Sequence, residues 1–372
     1  MIVQQDWVIT FILSRGDIME KSRFSIDVTN TIKGVAILVL LAYHLFVRSD
    51  YSLYNYNFTV GGKPFLNFLM QNGKVCVTIF VFLSGYGLNI SYNKKAPKEP
   101  TIKENILFNF KFSTKHILKL ISNFIVIYFI FLLIGLLLGK TTLPGIYGEN
   151  ISKGVIIDML GLQYLFNSPT LNVTWWYMSA IICYYALFPL LKVLMRKAPL
   201  LPMLIGLSIN ILALYYTWYQ LTVGILFYIF AFVCGMFFSE YKIFEKETLF
   251  DKKTIFYEII LFVITYFLRA KQRYVGDFAH AISVICLVYS IYPYMGKLNK
   301  VLNLLGRHSA NIFMLHTFFM LIYFQEFIYG FKNTFIIYIV LIIISLICSI
   351  IIEFIKRLCR YDKLQRKLFS IK

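Results

Sequence analysis

Apolar runs close to 20 residues long recur along this chain from one end to the other, separated by short gaps of charged and turn-forming residues. Inside lipid every backbone polar group must be satisfied within its own segment, so a run of that length crosses a bilayer as an α-helix. About ten such runs are read, at 30–47, 73–92, 117–139, 174–194, 199–217, 221–239, 254–269, 277–295, 308–328 and 333–356. Composition agrees, because 59% of the 372 residues are hydrophobic and 15% are charged, whereas soluble domains carry about 25% charged residues. The expected fold class is all-α, a polytopic membrane protein of about ten transmembrane helices with no large soluble module.

The net charge of +19 would suggest nucleic acid in a soluble protein, but here the cations lie in the gaps. Gaps on the N-terminal side of the membrane, including the N-terminal extension, the stretch from Lys94 to Lys119, the turn with Lys192, Arg196 and Lys197, the 240–253 and 297–307 loops and the C-terminal tail, hold about 27 Lys and Arg, against about nine in the alternate gaps. That asymmetry predicts cytoplasmic N- and C-termini and no nucleic-acid partner. Residues 1–26 read as a disordered or interfacial extension, with Met19 an alternative start. The transmembrane domain is expected over 27–356, and 357–372 as a basic cytoplasmic tail. The inner stretch 94–119 reads as a loop leading into a surface helix, and 48–72 and 140–173 as the long outer connections. Six cysteines are scattered without CxxC or CxxH spacing, which predicts neither a disulfide framework nor a metal site.

The first run, IKGVAILVLLAYH, holds Lys33 and His44 within or at the edges of otherwise apolar sequence. Ionisable groups at such depth are costly and are functional candidates by default. Eleven residues are about three helical turns, so both side chains share one face, roughly 16 Å apart along the axis. The predicted topology sets Lys33 toward the cytoplasm and His44 toward the outer half. Two structural readings stay open: Lys33 snorkelling to the interface, and His44 bonding a neighbouring helix.

A basic residue, ten residues and then His resembles the opening helix of the membrane acyltransferase 3 family, which includes O-acetyltransferases of surface polysaccharides. Four further blocks follow in the family's order. GKVCVTIFVFLSGYGLNI is similar to its second helix, with Phe82, Leu83, Ser84, Gly85 and Tyr86 as the core, and KHILKLIS resembles its basic signature. TWWYMSAIICYYALFPLL resembles its Trp-x-x-Ser helix and LGRHSANIFMLHTFF its G-x-x-S…LH helix. The chain also departs from the pattern. Lys33 replaces an Arg, and Lys115 and Lys119 replace paired arginines, which weakens bidentate recognition but keeps point charges. Ile181 and Ile182 stand where many relatives carry acids, and Ser122 replaces a frequent Pro.

The resemblance implies an integral membrane O-acyltransferase, expected to be an O-acetyltransferase. It would take an acyl group from cytoplasmic acetyl-CoA or another acyl-CoA to a hydroxyl of a cell-envelope glycan or lipid-linked glycan. His44 is the expected general base, since an imidazole titrates near neutrality. Lys33 is its companion in the catalytic groove. At 16 Å it is better suited, with Lys115 and Lys119, to attract coenzyme A phosphates at the cytoplasmic mouth. Trp176, Tyr177 and Ser179 are candidates for an outer lip on which a sugar stacks, with belt and packing roles equally open. Ser84 beside Gly85 reads as close packing before nucleophile, and His316 as a second-rank substrate-binding candidate. Arg307 and His308 read as surface charge in a loop; His116 and His280 fit no constellation. No metal is expected. The expected location is multi-pass in a cell membrane, a bacterial plasma membrane, in contact with lipid. The transfer is expected to be completed by this chain or handed to a separate partner. The alternative from another class is a transporter or flippase for a lipid-linked glycan or small solute, which would carry Gly- or Pro-broken helices in paired halves.

Overall fold

A computed structural model describes residues 24–215, 220–246 and 253–368. Most of the N-terminal extension, part of the 240–253 loop and the end of the tail lie outside these residues. The helices are α1 (Ile26–Val47), α2 (Phe65–Met70), α3 (Val75–Lys95), α4 (Ile102–Leu137), α5 (Leu143–Tyr147), α6 (Ile151–Met159), α7 (Trp176–Lys197) and α8 (Leu201–Tyr215). They continue with α9 (Gln220–Glu240), α10 (Thr254–Lys271), α11 (Arg273–Ile291), α12 (Lys297–Thr317), α13 (Gln325–Gly330), α14 (Thr334–Leu358) and α15 (Tyr361–Leu368). Among the described residues the β-structure is one hairpin of two-residue strands, Thr59–Val60 and Lys63–Pro64, and an isolated bridge between Asn55 and Asn333. The fold is therefore all-α.

Each of the ten apolar runs overlaps a helix. Six helical stretches are long and apolar enough to cross a membrane: Ile26–Val47, Phe65–Lys95, Ile102–Leu137, Val173–Lys197, Gly276–Tyr294 and Thr334–Leu358. The chain is thus a multi-pass membrane protein. Leu201–Leu212 and Gly224–Glu240 are shorter apolar helices, and α10 carries Glu258, Arg269 and Lys271.

Two stretches differ from the sequence expectation. The separate surface helix before residue 117 is instead the first part of α4, one helix of 36 residues opened by a Thr101/Glu104 capping box. At 1.5 Å per residue it is about 54 Å long, well beyond the roughly 30 Å of hydrocarbon. The 297–307 segment is not a loop but the amphipathic start of α12, whose Leu302, Leu305 and Gly306 are buried while Leu298 and Val301 are exposed. That helix ends at Thr317 in a π turn, Phe318–Ile322, rather than running on to 328.

Two glycine pairs set the packing. A β-carbon on Gly34 would lie 2.1 Å from the Leu302 carbonyl oxygen, and one on Gly306 would lie 1.8 Å from that of Asn30. Asn303 donates to Asp27 near the start of α1, and further along both helices His316 meets His44, so α1 and α12 run parallel, with Gly34 and Gly306 at their crossing. Gly85 and Gly235 hold the same place between α3 and α9, meeting the Phe232 and Phe82 carbonyl oxygens at 2.1 and 2.0 Å. Small residues at such crossings are the usual device where no hydrophobic effect drives helices together.

Charge is buried at two joints. Arg269 of α10 pairs with Asp277 of α11 at 2.6 Å and holds Asn72 ahead of α3, while Thr78 bonds the same carboxylate. Lys192 of α7 meets Glu240 of α9 at 2.5 Å, with Asn89 of α3 bonded to both. Buried ions of this kind are retained when paired and hydrogen-bonded.

Candidate active site

From the Gly34–Gly306 crossing, α1 and α12 each run ten residues, about 15 Å, to a histidine. The parallel register therefore brings His44 and His316 together. His44 Nδ1 lies 3.1 Å from His316 Nε2, with the rings edge to face and centroids 4.8 Å apart. His316 is fully buried, and its Nδ1 lies 3.1 and 2.9 Å from the carbonyl oxygens of Ile312 and Phe313. His44 is only partly buried, so it is the more accessible of the two.

The last turn of α1 is fixed by side chains that satisfy its terminal carbonyls, groups a helix cannot satisfy itself. Tyr329 of α13 donates to Leu45, Asn67 and Tyr54 donate to Phe46, and Ser49 donates back to His44. The Ser49 and Tyr329 hydroxyl oxygens lie 2.5 Å apart, so one of the two shares its single proton between its carbonyl and the other oxygen. The far end of α12 is held as firmly. Trp175 is fully buried and donates Nε1–H to the Met314 carbonyl at 2.9 Å, and Asn172 donates to Thr317 at 2.7 Å.

Asn172 is set in turn by the 140–173 connection. Asp158 of α6 accepts from Tyr147, Thr170 and the Leu171 amide at 2.7–2.8 Å, and Tyr147 is bonded to Tyr128 of α4. Burial pushes this carboxyl above the usual carboxylate range, against those three bonds, which pull it down.

Of the residues singled out by sequence, Lys33 is half-buried on α1 and makes no hydrogen bond or ion pair with another described residue. An amine so placed suits an anion arriving from elsewhere. Lys115 and Lys119 are exposed on α4, which packs against α7, α12 and α6. Their charges and that of Lys95 bear on His116, whose Nδ1–H donates to the Phe112 carbonyl. Ser122 receives Gln365 of α15 at 2.8 Å, tying the basic tail to α4.

Tyr177 packs on Phe313, one turn before His316, and its hydroxyl meets Ser84, as does that of Tyr185. Ser84 itself donates to the Phe80 carbonyl. Trp176 is half-buried, stacked on Tyr228, with the Lys74 amine 5.7 Å from its ring. Ser179 is not at a lip: it is fully buried and donates to the Gly161 carbonyl at 2.6 Å. Ile181 and Ile182 are buried core. His308 is half-buried in α12 and bonded to Ser349 of α14, rather than being loop surface, and His280 bonds Thr265.

Three residues of the site escaped the sequence reading. Lys74 and Arg48 bring positive charge to bear on His44; the available signal was their place at the two ends of the cation-poor 48–72 connection. Trp175 adjoins the candidate Trp176 in sequence, and only helical phase separates the buried ring from the half-buried one. Among the described residues no three His, Cys, Asp or Glu side chains gather as metal ligands.

In comparisons with curated proteins and with solved structures, nothing matches. The family model described as an acyltransferase domain, Acyl_transf_3, matches residues 27–354, and it covers both histidines and all five sequence blocks. The chain therefore belongs to the acyltransferase 3 family and is a membrane acyltransferase, one that uses an acyl donor and an acceptor.

Proposed function

We propose that this protein transfers an acyl group, with acetyl the first choice, from a cytoplasmic acyl-CoA thioester to a hydroxyl of a cell-envelope glycan or lipid-linked glycan. The observation that carries this is the partly buried imidazole of His44, hydrogen-bonded to fully buried His316 near the end of α1. His44 takes the proton of the acceptor hydroxyl as its oxygen attacks the thioester carbonyl. The tetrahedral intermediate then breaks its C–S bond, and the proton passes to the departing thiolate, leaving an ester and free coenzyme A. Lys74 and Arg48 supply the sign of charge that the intermediate's oxyanion needs.

Lys33, about 16 Å down the same helix face, is the candidate phosphate contact, since a thioester arm must span that interval. Lys115 and Lys119 add a cytoplasmic attraction for polyanions. Tyr177, Ser84 and Trp176 line the approach and are candidates for acceptor contact; Ser179, whose hydroxyl is already bonded, serves the packing of that wall.

The same reading places the protein in a bacterial plasma membrane with about ten crossings and both termini inside. Strict alternation along α1, α3, α4, α7 to α12 and α14 gives α1 and α12 one direction and α3 and α9 the other. The two parallel glycine-paired contacts are compatible with that order. The domain is taken as 27–356, ahead of the basic tail.

The test is purified protein in liposomes given radiolabelled acetyl-CoA and a mixed envelope glycan fraction. Label on the glycan supports the proposal. Glycan crossing the bilayer with no label attached would replace it with a flippase.

A further inference from the structure

Imidazole nitrogens are indistinguishable as donors or acceptors until their partners are known, and here the partners decide. Carbonyl oxygens only accept. His316 Nδ1 lies 3.1 and 2.9 Å from two of them, so that nitrogen carries a proton. A neutral His316 then has its lone pair on Nε2, and that lone pair faces His44 Nδ1 at 3.1 Å. His44 Nδ1 must therefore be the N–H, which leaves the lone pair of His44 on Nε2.

The reverse assignment would protonate both nitrogens of His316. That would place an imidazolium at a fully buried position where no described carboxylate pairs with it, a costly arrangement.

We infer that His316 is a positioning residue: its two backbone acceptors fix its own tautomer, and its Nε2 fixes that of His44, so that His44 presents a bare Nε2 to the acceptor hydroxyl. This rests on the reading of His44 as the base. It deepens that reading by naming the reacting atom and the group that selects it. The selector carries no net charge, because carbonyl dipoles take the place that a carboxylate fills in other hydroxyl-activating sites. His316 touches no substrate; its work is done when His44 becomes an imidazolium, whose Nδ1–H still has an acceptor.

The π turn that begins at Phe318 follows directly, and Phe318 and Leu315 are fully buried. The ring thus sits at the end of regular helix among buried neighbours, as a selector of geometry requires.

The test combines kinetics with nitrogen-15 NMR of histidine-labelled protein in detergent. In the wild type, the His44 resonances are expected to show Nδ1 protonated and Nε2 bare; a protonated Nε2 would overturn the inference without any variant. His316→Leu removes the acceptor and should lower kcat about a hundredfold or more, with KM for acetyl-CoA within about twofold and mixed His44 tautomers. His316→Gln keeps an acceptor oxygen and should restore kcat to within about tenfold of wild type. If His316→Leu retains wild-type kcat and tautomer while His44→Ala is inactive, the inference falls and the base reading stands. If His44→Ala retains wild-type turnover, the base reading falls and takes this one with it.

Discussion

Replacing Gly306 by alanine adds one methyl group about 15 Å from the proposed chemistry, and the structure states what that methyl must displace. Its carbon would lie 1.8 Å from the Asn30 carbonyl oxygen and 2.5 Å from the carbonyl carbon, and neither backbone atom can swing aside. Restoring an ordinary contact of about 3.4 Å requires α1 and α12 to part by roughly 1.5 Å. Overpacking of this kind costs about 1–3 kcal/mol of stability. The same separation, carried along two parallel helices, would stretch the 3.1 Å His44–His316 contact beyond hydrogen-bonding range.

Turnover should then fall at least tenfold, equivalent to about 1.4 kcal/mol of activation free energy, with the protein still folded. Gly235→Ala is the control. Its methyl would lie 2.0 Å from the Phe82 carbonyl oxygen, so it imposes a similar wedge on the α3–α9 pair, away from the histidines. The assay is acetyl transfer per folded molecule, with thermal unfolding in detergent run in parallel. The reasoning is refuted if both variants lose similar stability and Gly306→Ala keeps full turnover, or if Gly235→Ala loses as much turnover as Gly306→Ala.

Other outcomes follow from the same geometry. Lys33→Ala should raise KM for acetyl-CoA about tenfold with little change in kcat, and Lys33→Arg should restore it; steady-state kinetics decide, and a change confined to kcat would count against a phosphate contact. Trp175→Phe removes the bond to the Met314 carbonyl and should cost about 1–2 kcal/mol in chemical unfolding, with a loss of turnover through α12. Glu240→Ala strands the Lys192 ammonium, which is 1% exposed, and should cost about 3 kcal/mol; the Lys192→Met, Glu240→Leu double variant should recover most of it. For Asp158, whose buried carboxyl is raised, the protonated form favours the folded state. Its contribution is full below the ordinary carboxylate range and is lost as pH rises through the raised value. Melting temperature should therefore climb on acidification through that window, and the climb should flatten in Asp158→Asn.

The helices were legible because an apolar run of fixed length has one solution in lipid. The start of α12 was not, because KLNKVLNLLGR spaces its apolar residues on one face only, and charge at every turn reads as a gap when hydropathy is averaged. The merged 36-residue α4 was missed for a similar reason: Lys103, Lys111 and Lys115 mark where apolarity ends, not where the helix does. At the site, His44 announced itself as an ionisable group within an apolar helix. Its partner did not, since the contact spans 272 positions and depends on glycines whose role appears only when two backbones meet. Ser179 shows the limit of reading by residue type: one position along a helix separates a lip from a wall.

Proton transfer by His44 is probed with His44→Ala in liposomes, acetyl transfer and acetyl-CoA binding being measured on the same preparation. Turnover should fall about a thousandfold or more with binding within about twofold of wild type, because Lys33, Lys115 and Lys119 are untouched. Turnover within threefold of wild type would contradict proton transfer by that ring.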